Sequence, residues 1–176
     1  MIGTGASAIQ FVPRIAENAS KVELFQRSAP WILPKPDRKI FGIEKALYKY
    51  LPGWRLAHRA SLYWVNEISL HGFLKEKSWI RSFAEWAATK HIHHHIKDET
   101  LRKQLTPDFR FGCKRALLSN EYYPALARDN VDVIDSGIER ITETGIIDKN
   151  GKAHEADVII WGTGFKVDEP LMGIDI

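Results

Sequence analysis

Apolar residues change their spacing along the chain, and the changes divide it into three stretches. In the first, Ala8, Phe11, Val12, Ile15 and Ala16 recur at helical spacing and predict a helix over 7–18. Pro13 falls inside it, removes one backbone donor and should bend it. Val22 and Leu24-Phe25 predict a strand over 21–25. Pro30, Pro34 and Pro36 then predict an irregular linker. The second stretch, 40–105, reads as helical. Ile43, Leu47, Tyr50 and Leu51 share a face that Pro52-Gly53 ends. Trp54, Leu56, Leu62, Tyr63, Val65 and Ile68 fit a second helix, with Gly72 as its break, and Trp79, Ile80, Phe83, Trp86 and Ala87 fit a third. The last stretch returns to strands. Val131-Asp132-Val133-Ile134 is one, and 137–147 is strand-like about a turn at Thr144-Gly145. Asn150-Gly151 signals a hairpin, and Asp157-Val158-Ile159-Ile160-Trp161 predicts a buried strand. The fold class is therefore α/β with a helical insertion, divided at 1–39, 40–105 and 106–176.

Composition narrows the function classes. The 176 residues are 44% hydrophobic and 27% charged, which is the balance of a globular chain. A formal charge of +3 is too small to point to nucleic acid as a partner. No apolar run reaches about 18 residues, so no membrane span is expected. One cysteine, Cys113, excludes an internal disulfide framework and a Cys-rich zinc site. A secretory pattern is lacking at the start, so the expected location is cytoplasmic. Charge is uneven: residues 35–59 carry seven Lys/Arg against two Asp/Glu, and residues 129–176 carry four against eleven. Two differently solvated faces explain this; attraction of phosphate by the basic stretch is the alternative. Trp54, Trp64, Trp79 and Trp86 all lie in the helical stretch, which suggests a packed aromatic core.

Gly3-Thr4-Gly5-Ala6-Ser7-Ala8 fits the pattern G-x-G-x-x-A. The first glycine permits a tight turn, the second lets backbone approach a pyrophosphate, and the small third residue lets helix and strand pack closely. The helix start behind them offers free N–H groups to phosphate. A plain glycine turn at a helix start has the same pattern. The strand that follows ends in Gln26-Arg27-Ser28. A dinucleotide site selective for the ribose 2′-hydroxyl needs an acid here, whereas an Arg suits a 2′-phosphate. Glu23 lies too early in the strand for the ribose. The reading is a Rossmann-like NADP(H) site, with a surface Arg as the alternative for Arg27.

These motifs, with Ser28-Ala29-Pro30-Trp31, Gly112-Cys113-Lys114-Arg115, Asn120-Glu121-Tyr122-Tyr123 and Trp161-Gly162-Thr163-Gly164-Phe165, come in an order that resembles the NADPH-binding half of flavin-dependent monooxygenases, most closely the Baeyer–Villiger type. The resemblance covers nearly the whole chain and is weakest over 40–105. It implies that Gly3, Thr4, Gly5, Ala6 and Ser7 hold the NADP pyrophosphate. It implies that Arg27, Ser28 and Lys114 bind the 2′-phosphate, and that Thr163 and Gly164 lie in a turn near the cofactors. Gly162 stands where the family usually has Ala. Arg115 matches the family's catalytic arginine beside the flavin. A guanidinium stays charged and is rigid, which suits stabilisation of developing negative charge. Without the family, Lys114-Arg115 reads as a solvated basic pair.

The implied reaction uses NADPH, FAD and O2 to insert one oxygen into a ketone, or to oxidise a sulfide or amine. The alternatives are a flavoprotein reductase that does not activate O2, and a non-catalytic NADP-binding module. Only Met1 and Ile2 stand before the glycine loop, and no second glycine motif is present for FAD. The expectation is a fragment with a truncated first strand that does not turn over alone. His91, His93, His94 and His95 are read as a solvated helix end rather than a metal site, since only His91 and His95 share a face and H-E-x-x-H is absent. Cys113 is expected to be a small packed residue.

Overall fold

The structure is a computed structural model that describes residues 1–75 and 78–164. Its centre is a parallel layer. Strand β1 (Val22–Phe25) pairs in parallel with β4 (Val131–Ile134), in register from Val22↔Val131 to Phe25↔Ile134. Ile2 bridges Phe25 on one side and Trp161 on the other, both in parallel. The spatial order is thus β4, β1, Ile2, Trp161. Helix α1 (Ala8–Ala16) lies on this layer and buries Ala8, Ile9, Val12, Pro13 and Ala16. Its apolar stripe meets Val22 and Leu24 of β1 and Tyr122, Tyr123 and Leu126 of helix α6 (Tyr122–Leu126) in the main core. The helix and strand predicted from apolar spacing are therefore both present, the helix shorter at both ends and the strand by one residue at its start.

The Pro-rich exit is not wholly irregular. Ile32 and Leu33 form a short strand, β2 (Ile32–Leu33), parallel to β3 (Leu117–Leu118). Proline lacks an N–H, so it is tolerated beside a strand this short but not within it. Here Pro30 and Pro34 flank the paired residues and leave their donors free to pair.

The stretch between β2 and β3 is helical: α2 (Gly42–Tyr50), α3 (Trp54–Leu74), α4 (Trp79–His95) and α5 (Glu99–Leu105). Gly53, at φ +79, turns the chain between the first two. Gly72 does not break α3 but lies within it. A Cβ there would sit 2.6 Å from Ile80 Cδ1, so glycine is what lets α3 and α4 approach. Ser78 starts α4 by accepting from the Ile80 N–H at 3.2 Å. That helix runs on to His95, past the predicted apolar face. His91 is buried rather than solvated, and its Nε2 lies 2.9 Å from the Ser119 carbonyl.

The aromatic core expected of this stretch is also absent among the described residues. Trp64, Trp79 and Trp86 are exposed, as are Ile43, Leu56, Tyr63, Val65 and Ile68. Helix α2 buries none of its residues. The aromatic packing lies elsewhere, where Trp31 and Phe111 pack with Ala84 and Ala88 of α4.

Strands β5 (Ile138–Thr142), β6 (Gly145–Asp148) and β7 (Ala153–Glu155) form an antiparallel meander. Its second turn falls at the predicted Asn150-Gly151. Asp148 accepts from the Asn150 and Lys152 N–H groups, each at 2.9 Å, and Gly151 supplies the left-handed φ of +80. The last predicted strand is only a single bridge at Trp161. Val158 is 70% exposed and Trp161 61%, so this apolar run is not buried among the described residues. Ile2 pairs one side of it, and its other side has no strand partner among the described residues. Among those residues no helix is long and apolar enough to cross a membrane.

Candidate nucleotide-binding site

The glycine loop joins Ile2 to α1 at the carboxyl end of the parallel layer. Gly3 has φ +105, and its N–H donates to the Phe25 carbonyl at 3.0 Å. A Cβ on Gly3 would lie 2.5 Å from the Gly162 carbonyl oxygen and 3.3 Å from the Thr163 N. The first glycine is thus required twice, by its backbone angle and by the chain packed against it. Gly5 differs: a Cβ there would meet nothing within 4 Å. The space over the second glycine is open, as the approach of a ligand requires. The first α-helical bond of α1 runs from Ile9 N to Gly5 O at 3.2 Å, so the amides of Gly5, Ala6 and Ser7 precede the helical ladder. Gly5, Ala6 and Ser7 are exposed, while Ala8 is fully buried as the small residue between helix and strand.

The end of β1 brings further groups to this loop. Thr4 Oγ1 donates to the Ser28 carbonyl at 3.1 Å. Lys114 Nζ donates to Ser28 Oγ, also at 3.1 Å, across 86 residues of sequence. Arg27 is exposed beside them. Among the described residues neither Arg27 nor Lys114 has an acidic partner, so both charges are available to an anion. Glu23 points elsewhere. Its carboxylate lies 3.2 Å from His154 Nδ1 and accepts from Lys21 at 2.7 Å. Burial pushes the Glu23 carboxyl up, but Lys21 and His154 together outweigh burial and hold it below its ordinary value.

The predicted residues therefore fall into two groups. Gly3, Thr4, Gly5, Ala6, Ser7, Arg27, Ser28 and Lys114 converge at one end of β1. The Gly162-Thr163 turn joins them, since Gly162 N donates to Ile2 O at 2.7 Å and its carbonyl abuts Gly3. Gly164 follows at φ +90 and is exposed. Phe165 lies outside the described residues. Arg115 is exposed next to Lys114 and has no ion-pair partner among the described residues. Nothing places its guanidinium against the loop. Cys113 is exposed, not packed. The left-handed Gly112 at φ +93 turns the chain just before it.

Sequence reasoning missed Phe109. The Lys114 ammonium sits 4.3 Å from the centroid of its ring. The signal was present in Phe109-Arg110-Phe111, two aromatics shortly before a basic pair, but spacing alone does not tell a cation platform from core packing. Chemically, the arrangement can receive an anion: exposed amides at a helix start, flanked by two cations that have no acidic partner among the described residues.

Comparison with known proteins finds relatives along nearly the whole chain. No protein-family model matches the chain. A Baeyer–Villiger monooxygenase of Pseudomonas aeruginosa is 46% identical over 171 residues, covering 97% of this chain and 32% of that protein. One from Streptomyces coelicolor is 45% identical over 172 residues, covering 97% and 33%. An FAD-binding monooxygenase of Aspergillus niger is 35% identical over 184 residues, covering 100% and 29%. Among solved structures, the complex of OTEMO with FAD and NADP aligns at TM-score 0.70 and 25% identity, covering 94% of this chain and 37% of that one. A variant of Rhodococcus cyclohexanone monooxygenase bound to NADP+ shares the fold at TM-score 0.73 and 22% identity, covering 96% and 39%. The chain is thus a relative of the Baeyer–Villiger flavin-dependent monooxygenases. It spans about a third of the length of the curated relatives it matches.

Proposed function

We propose that this chain is the NADP(H)-binding portion of an FAD- and NADPH-dependent monooxygenase that inserts one oxygen atom from O2 into a ketone, or oxidises a sulfide or amine. The observation that carries the reading is the Lys114–Ser28 bond. It brings a cation from a distant segment to the end of β1, beside an unpaired Arg27 and the open face of Gly5. The strand order β4, β1, Ile2, Trp161 supports a Rossmann-like domain, in which the strand before the glycine loop lies inside the sheet and ligands bind at the carboxyl ends. Helices α2 to α5 are its insertion, so the divisions are 1–39, 40–105 and 106–176.

The residues present fit the nucleotide. A Cβ on Gly5 would occupy open space, as expected of a pyrophosphate cradle. The exposed donors of Gly5, Ala6 and Ser7 would face the pyrophosphate, with Gly3 and Thr4 shaping the turn. Arg27, Ser28 and Lys114 would hold the 2′-phosphate. An Arg presents a planar donor fork and a Lys a compact charge, a pairing suited to a phosphate monoester. Thr163 and Gly164 would close the loop from the far side. Arg115 would supply fixed positive charge towards the reacting centre. Bound NADPH would supply the hydride for reduction of a flavin. A cytoplasmic setting belongs to this reading and suits a free, exposed Cys113.

The test is titration of the chain with NADPH and NADH by calorimetry, for wild type and Arg27→Ala. Loss of a charged hydrogen bond costs about 1.5–3 kcal/mol, so NADPH affinity should fall about 10- to 100-fold while NADH affinity holds. Equal losses for both dinucleotides would remove Arg27 from the 2′-phosphate site.

A further inference from the structure

Lysine is a poor choice for reading one phosphate unless something restrains it. Its stem has four carbons, and an exposed ammonium samples many rotamers. Lys114 is exposed, yet its ammonium has two contacts: Ser28 Oγ at 3.1 Å and the Phe109 ring at 4.3 Å. The second contact is with a π face, which attracts a cation through the ring quadrupole.

Phe109 is itself tied to the neighbouring core, against which it is partly buried. Its carbonyl accepts from Trp31 Nε1 at 2.8 Å. Trp31 is buried and packs on Phe111, whose N–H donates to Glu85 of α4 at 3.0 Å. Segments 28–31 and 109–114 are therefore pinned to each other at two points, Ser28 to Lys114 and Trp31 to Phe109. The Phe109 backbone is thereby anchored, and its ring lies under the Lys114 ammonium.

We propose that Phe109 is a positioning residue that holds the Lys114 ammonium at the end of β1 and so sets the preference for a 2′-phosphorylated dinucleotide. The inference rests on the NADP(H) reading above and deepens it. Selectivity arises because the restraint acts only on the group that meets the extra phosphate. NADH, which lacks that phosphate, gains nothing from it.

The experiment measures dissociation constants of NADPH and NADH for wild type, Phe109→Leu, Phe109→Trp and Lys114→Met. Leucine keeps apolar volume and removes the π face. An exposed cation–π contact is the size of effect that lowers NADPH affinity about 2- to 5-fold. The ratio of NADH to NADPH dissociation constants should fall by that factor in Phe109→Leu, with NADH affinity unchanged, and recover in Phe109→Trp. On the Lys114→Met background, Phe109→Leu should cost nothing further, because the ring then has no cation to hold. Proton NMR gives a second readout without nucleotide: the Lys114 ε-methylene should be shifted upfield by the ring and return in Phe109→Leu. A wild-type chain that binds NADPH selectively, with the ratio unmoved in Phe109→Leu, overturns the inference alone. Equal losses for both dinucleotides assign Phe109 a merely structural role and also overturn it. A wild-type chain without preference for NADPH overturns the nucleotide reading and this inference with it.

Discussion

Two glycines in one loop should fail in opposite ways when each becomes alanine. At Gly3 the backbone φ of +105 is one that a side chain resists, at about 1–3 kcal/mol. The new Cβ would also meet backbone that cannot rotate away, at 2.5 Å from Gly162 O and 2.8 Å from Gly162 C. Forcing such an overlap costs a further ~1–3 kcal/mol. The sum, about 4 kcal/mol, is a large share of the roughly 5–15 kcal/mol that holds a domain together. At about 2–4 °C per kcal/mol for a chain of this size, Gly3→Ala should lower the melting temperature by roughly 8–16 °C. At Gly5 the φ is not left-handed and a Cβ meets nothing within 4 Å. Gly5→Ala should therefore leave melting unchanged, or raise stability by about 0.4–1 kcal/mol through the unfolded chain. Its methyl fills the space a pyrophosphate needs, so NADPH affinity should fall about 5- to 100-fold. Differential scanning fluorimetry and calorimetric titration separate the two effects. A Gly3→Ala chain that melts like wild type, or a Gly5→Ala chain that binds like wild type, would refute the assignment of turn and cradle.

Two further outcomes follow from the packing. Ser136, at 2.6 Å, is the strongest of the bonds that hold the Asp148 carboxyl at about 2 against an ordinary 3.8, with burial opposing and the Lys152 and Asn150 amides and His154 assisting. A carboxylate lowered on folding contributes stability above its ordinary value and loses it as pH falls through the folded one. Wild type should thus lose melting temperature between pH 4 and pH 2 more steeply than Asp148→Asn, and parallel acid curves would dissolve the argument. Gly72→Ala sets a gain in helix propensity of about 1 kcal/mol against overpacking of ~1–3 kcal/mol on Ile80, so urea unfolding should show a net loss. A more stable variant would mean that α3 and α4 do not approach this closely.

What could be read from the sequence was what neighbours in the chain decide. The stripe Ala8, Val12, Ala16 and the apolar run at Val22 set α1 and β1, because each element states its own buried face. The glycine loop was legible for the same reason, since its turn and its helix start are one local event. Gly72 was misread because one residue type serves two ends: it weakens a helix, and it lets two helices touch. Only the partner, Ile80, decides which applies. The short pairing of Ile32 with Leu117 was hidden because its partner lies beyond the whole helical stretch.

The candidate site shows the same division. Arg27 and Ser28 could be placed from the strand that ends at Phe25, but Lys114 read alone is a solvated cation. Only the fold sets it on Ser28 and over the Phe109 ring. The apolar pattern of α3 marks the opposite limit. Trp54, Leu56, Tyr63, Trp64, Val65 and Ile68 occupy more than half of that helix's circumference, a broad apolar arc that specifies burial. Leu56, Tyr63, Trp64, Val65 and Ile68 are nevertheless exposed. Contacts among the described residues therefore account for the glycine loop and its cations, but not for the composition of α3. A pattern of burial in the sequence predicts that a face is covered, and says nothing of which surface covers it.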